Sequence, residues 1–165
     1  MNQSDKKNLQ FIKNSGVSYF LQDSPRIWFE NSKSSEKLNE IVGDNKKILE
    51  IKKVIESIKN HETTLKKSAN NLVIYDGSLD AKVMFIGEAP GQEEDKLGTP
   101  FVGKAGQLLN KMLAAINIKR EDVYITNVVN WRPPNNRTPT DSEILEFLPY
   151  LQRQIDIVEP KYTFL

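Results

Sequence analysis

An apolar run that stops abruptly at a glycine and a carboxylate, KVMFIGEAPGQEED at residues 82–95, limits the possible folds of this 165-residue chain more than any other segment. Val83 to Ile86, flanked by Ala81, read as a buried parallel strand, because such strands are covered on both faces and are apolar throughout. Gly87, Pro90 and Gly91 break the run sharply and leave Glu88 at the strand's carboxyl end. In open α/β sheets, ligands bind along that edge. A carboxylate is a poor structural choice there and a good chemical one. Glu93, Glu94 and Asp95, taken alone, read as charges favoured by the dipole at the start of a helix.

Two further segments change the weight of the first. Residues 99–113, TPFVGKAGQLLNKML, join a Pro-Phe pair and two glycines to an amphipathic helix, with Leu108, Leu109, Met112 and Leu113 expected on one face. Phe101 alone reads as a core phenylalanine, yet Pro100 before it and Gly103 after it place it in a loop. Residues 123–139, VYITNVVNWRPPNNRTP, read as a second strand ending at Asn127, then a stiff basic loop with Arg132 and Arg137 among three prolines. Asn127 alone reads as a turn cap, and the two arginines alone as a solvated surface loop.

Together GEAPGQEED, GTPFVGKAGQLL and YITNVVNWRPPNNRTPT resemble the uracil-DNA glycosylase superfamily, and within it family four, the thermostable type. The resemblance runs from Leu65 to the last residue. It implies an α/β fold: a three-layer α/β/α sandwich around a central parallel sheet. It also implies an enzyme that hydrolyses the N-glycosidic bond of uracil in DNA, the first step of base excision repair. Such an enzyme takes the base out of the stack and reads its edge in a snug pocket. It then cleaves through an oxocarbenium-like transition state that a carboxylate can face, or for which it can orient water. On this resemblance Glu88 is the catalytic carboxylate and Glu94 the second acidic residue of the turn. Gly87, Glu88, Phe101 and Asn127 hold uracil, Phe101 by stacking. The Asn127 amide offers the donor and acceptor that match uracil O4 and N3–H, whereas cytosine would leave buried polar groups unpaired. Arg132 and Arg137 suit phosphate contacts.

The resemblance also implies an iron–sulfur cluster on four cysteines, at positions near Asn60, Thr63, Trp131 and Phe147. The chain has no cysteine, and such clusters require thiolate ligands. A cluster-free relative without cofactor is therefore expected, with Trp131 and Phe147 refilling the space and pinning residues 60–69 to the domain. No metal ligand set is assigned.

A helix is expected from Asp141 to Val158, capped by Thr140 or Asp141 with Glu143 behind, and Lys161–Leu165 read as the opening of a third strand. The resemblance implies a further strand–helix–strand stretch with a histidine–proline–serine motif, so the expectation is a C-terminally truncated domain with an open apolar edge. Two alternatives follow: an inactive fragment or pseudoenzyme, partnered by a separately encoded C-terminal half, and a nucleotide-binding module. The latter lacks GxGxxG and GxxxxGK[ST] patterns.

Residues 1–60 are expected to form a helical extension or linker and residues 61–165 the glycosylase-like domain. Leu9, Phe11 and Ile12 suggest a short helix ended by Gly16, and Tyr19, Phe20, Trp28 and Phe29 an aromatic cluster. A second helix is expected from about Ser35, with Gly43-Asp44-Asn45 breaking it. His61, the only histidine, receives no role. Charge does not identify the partner: residues 1–70 hold 13 Lys and Arg against 9 Asp and Glu, the rest 10 against 13. The polar N-terminus and the lack of a long apolar run point to a cytoplasmic protein acting on uracil-containing DNA, with no membrane partner.

Overall fold

A computed structural model describes residues 32–165, with side chains from residue 46 onward. The expectations for residues 9–16 and for Tyr19, Phe20, Trp28 and Phe29 lie outside the described residues. The chain divides into two compact units, residues 1–38 and 39–165. The helix α1, Ser32–Asn60, crosses that division, and within the second unit it packs Ile51, Val54 and Ile58 into the main core. The apolar face of this helix is thus part of the same core as Leu65, Val129 and Phe147. The helix also runs unbroken through Gly43-Asp44-Asn45. An interior glycine costs a helix only about 1 kcal/mol, and tertiary burial of the following turns outweighs it.

The sheet contains β1 (Tyr75–Gly77), β2 (Val83–Gly87), β3 (Tyr124–Asn127) and β4 (Tyr162–Phe164), in the spatial order β1-β3-β2-β4. β2 is parallel to β3 and to β4, as the apolar run VMFI requires. β1 is antiparallel to β3, so the sheet is mixed where a wholly parallel one was expected. The short link 78–82 is the reason. Returning the chain to the same end of a sheet takes a crossover of roughly a dozen residues or more.

The alternation of β2 decides the layers. Met84 and Ile86 face one way, with Tyr124, toward Leu151 and Val158 of α4 (Asp141–Val158). α1 and α4 meet beside them through Ile51, Ile58, Phe147 and Ile157. Val83 and Phe85 face the other way, with Ile125, toward Leu113 of α3 (Lys104–Ala115). α4 starts with the expected capping box: Glu143 N donates to Thr140 Oγ1, and Thr140 N donates to the Glu143 carboxylate.

α3 buries only part of its apolar face. Leu113 is buried, but Leu108 and Met112 are each 59% exposed. With Phe164 of the edge strand β4, Val83, Phe85, Leu109 and Met112 line an open apolar groove.

Candidate active site

The site is built at the carboxyl ends of β2 and β3, where Gly87 and Asn127 are register partners. The pairing continues past the strands: Val128 N donates to Gly87 O at 2.8 Å, and Val129 N to Glu88 O at 3.0 Å. The backbone of Glu88 is thus held by the sheet while its side chain is exposed. Gly87, Glu88, Glu94, Phe101, Lys104 and Asn127 line a cavity of about 320 Å³, at the small end of the range for ligand sites.

Space in this cavity is set at Gly87. A Cβ added there would lie 2.4 Å from Asn127 Oδ1 and 2.7 Å from Phe101 Cε2. Asn127 is only 2% exposed, and its Nδ2 has no hydrogen-bond partner. An unpaired buried donor costs about 1–3 kcal/mol, and here it belongs to a side chain that lines the cavity. Phe101 sits in the left-handed region at φ 53°, uncommon for a bulky residue. Its ring also packs on the Leu113–Ile125 cluster. Both readings of this residue therefore hold: it is a loop residue, and its ring is partly core.

Glu94 lies in the first turn of α2 (Gln92–Leu97). Its Oε1 accepts hydrogen bonds from Val102 N at 2.9 Å and Gly103 N at 2.7 Å, so this carboxylate organises the turn that carries Phe101. Asp95, fully buried, points away from the cavity and accepts from Asn70 N, Asn70 Nδ2 and Asn71 N at 2.7–3.0 Å. Burial pushes its pKa up, but those backbone and amide donors, with Arg132, outweigh it and hold the carboxyl below its ordinary value. Among the three acidic residues after the proline–glycine turn, two hold tertiary structure and Glu93 is exposed.

Neither loop arginine stands free. Arg132 Nη1 lies 3.7 Å from Asp95, with Nε donating to Asn136 Oδ1. Arg137 makes a bidentate pair with Glu143 at 2.7 and 2.6 Å. The guanidinium is the main cause that holds the Glu143 carboxyl at about 2. Lys104, exposed at the start of α3 and lining the cavity, was not singled out from the sequence. Nor was Arg120, which donates to the carbonyls of both Pro100 and Phe101. The only available signal for Lys104 was its place between the two glycines of GKAG; Arg120 had none.

The residues present do not fit an iron–sulfur cluster. Position 147 is a fully buried phenylalanine in the core with Leu65 and Val129, against which Trp131 packs. Lys66 Nζ lies 5.6 Å from the Trp131 ring centroid. Asn60 ends α1 and Thr63 caps the turn Thr64–Lys67. No thiolate exists to bind iron, and no group of three or more His, Asp or Glu among the described residues could hold a metal. His61 joins this plug edge-on to Phe147 and Tyr150, with Nε2 2.7 Å from Glu146.

A model of the Uracil DNA glycosylase superfamily matches residues 74–165. The Type-4 uracil-DNA glycosylase of Thermotoga maritima is 54% identical over 90 residues, covering 54% of this chain and 47% of that protein. That of Pyrobaculum aerophilum is 48% identical over 114 residues, 68% of this chain and 58% of its own length. A DNA polymerase of Bacillus phage SP01 is 38% identical over 85 residues, which make up 9% of it. The chain spans about half the length of the curated glycosylases it matches.

Proposed function

The chain belongs to the uracil-DNA glycosylase superfamily, and on that premise we propose that it is a uracil-DNA glycosylase acting on uracil-containing DNA in base excision repair. One observation carries the reading: Asn127, whose buried Nδ2 has no partner within the fold, lines the same cavity as Glu88 and Phe101. Uracil offers O4 to that donor and N3–H to the neighbouring Oδ1, while its π-face stacks on Phe101. In the reaction, water oxygen bonds to C1′ of the deoxyribose and the C1′–N1 bond breaks. The bonding pair leaves with uracil, which takes up the proton that the attacking water loses, and Glu88 orients the water or faces the positive charge on the sugar. The chemistry uses water as nucleophile and no cofactor.

Glu94 is assigned here to holding the Phe101 turn rather than to a chemical step, since Oε1 already accepts two N–H groups. Arg137 is the better of the two phosphate contacts: it is 42% exposed and uses only part of its five-donor fork on Glu143 and Thr138. Arg132, 18% exposed beside Asp95, orders the loop. A cytoplasmic location fits a DNA substrate, and no helix among the described residues is long and apolar enough to cross a membrane. Tyr162 and Phe164 are exposed on the edge strand β4, beside the apolar groove.

The test is excision of uracil from a labelled single-stranded oligonucleotide by the 165-residue chain and by its Glu88→Ala form. Alkali-labile abasic sites left by the parent and not by Glu88→Ala support the assignment. A folded parent that releases no uracil overturns it.

A further inference from the structure

Arg120 makes four hydrogen bonds, and two of them end on the turn that carries the cavity's aromatic ring. Nη2 donates to Pro100 O at 2.6 Å and Nη1 to Phe101 O at 3.1 Å. Nε is fixed by Asp76 Oδ2 at 2.6 Å, and Nη1 also reaches Asn110 Oδ1 at 2.9 Å. Asp76 is itself held at the edge of the sheet: it belongs to β1, opposite Ile125, and its Oδ1 accepts from Gly77 N.

The same turn is gripped from its donor side by Glu94, through Val102 N and Gly103 N. Gly106 closes the arrangement, because a Cβ at that position would lie 1.7 Å from Phe101 O. A left-handed, non-glycine residue costs of order 1–3 kcal/mol and persists only where its surroundings over-determine it. Phe101, at φ 53°, is over-determined from three directions.

We propose that Arg120 is a positioning residue for base stacking. By clamping the Pro100 and Phe101 carbonyls to Asp76, it fixes the Phe101 ring against Gly87 before any base enters. This rests on the reading of the cavity as a uracil site and adds to it a residue outside the cavity's lining. Preorganisation is the physical gain: a ring already in place loses no rotamer freedom on binding, and the base meets a surface held to the tolerance that positioning demands. The planar guanidinium is required, since a lysine ammonium at position 120 cannot span two successive carbonyls and Asp76 together.

The test combines amide ¹H–¹⁵N spectra of the full chain with uracil excision, for the parent, Arg120→Gln and Arg120→Lys. Phe101→Leu identifies the signals that sense the ring. In both Arg120 variants the Gly87 backbone amide and the Asn127 side-chain amide are expected to move toward their Phe101→Leu positions, while Phe147 in the distant core stays put. kcat/KM for uracil-containing DNA is expected to fall roughly tenfold or more, with affinity for uracil-free DNA unchanged. Should Arg120→Gln fail to fold, Arg120→Lys, which keeps the charge beside Asp76, decides the matter. Parent-like Gly87 and Asn127 signals in a folded Arg120 variant overturn the clamp. A parent without excision overturns the uracil reading instead and leaves the spectra to judge the clamp.

Discussion

Gly87 lies directly beneath the ring of Phe101, so close that a Cβ added to it would sit 2.7 Å from Cε2 and 2.8 Å from Cζ. Its φ lies outside the positive range, so the backbone accepts alanine and the obstacle is the cavity alone. Gly87→Ala is expected to keep the fold, with Tm within a few degrees of the parent, and to cut uracil excision by about two orders of magnitude as ring and amide are displaced. Circular dichroism melting and excision rates measured together check this; full activity would mean that the ring does not form the cavity wall.

Asn127→Leu separates stability from function. The Nδ2 donor makes no bond within the fold, so removing it relieves an unsatisfied buried group and stability is expected to hold or rise. Excision of uracil is expected to drop by roughly 10²-fold or more, because the base loses both polar partners. A large fall in Tm would show instead that Asn127 supports the sheet.

Phe147 replaces chemistry with packing, and its loss is expected to be felt as lost packing. Phe147→Ala leaves a hole among Ile58, Leu65 and Val129 and is expected to cost about 3–5 kcal/mol, read by urea unfolding. Chelators are expected to leave the parent's Tm unchanged, and elemental analysis to find less than stoichiometric iron. A chelator-sensitive Tm would overturn the packing account.

Glu143 predicts an acid limb of stability. Its pKa is lowered from 4.5 to about 2 in the folded protein, chiefly by hydrogen bonding from Arg137. A depressed folded pKa stabilises above the unfolded value and is lost as pH falls. Parent and Glu143→Gln are therefore expected to differ most at neutral pH, by roughly 2 kcal/mol once the partly exposed Arg137 is discounted for screening. The gap is expected to narrow from pH 4.5 toward pH 2. A gap independent of pH across that window would refute the ion pair as its source.

Local chemistry made several features readable in the sequence. The strand 83–87 follows from an unbroken apolar run, its end from Gly87, and the cap of α4 from Thr140 and Glu143, because each depends on a few adjacent residues. The cavity residues Gly87, Glu88, Phe101 and Asn127 were readable as a set from three motifs, and the structure brings them to one cavity. What they do around it was less so: Glu94 has the same residue type as Glu88 and a neighbouring place in the turn, yet its Oε1 faces two backbone N–H groups.

The rest was decided only in three dimensions. The antiparallel edge strand, the continuity of α1 past Gly43, the exposure of Leu108 and Met112, and the capture of Arg132 by Asp95 all depend on partners distant in sequence. So does the grip of Arg120 on Phe101, nineteen residues away. The sequence by itself determined which residues could be apolar strand, cap and turn, since those are properties of short segments. The tertiary structure alone decided which polar groups are consumed by the fold and which remain free for a ligand. A hydrogen bond between distant residues leaves no periodicity for the chain to display.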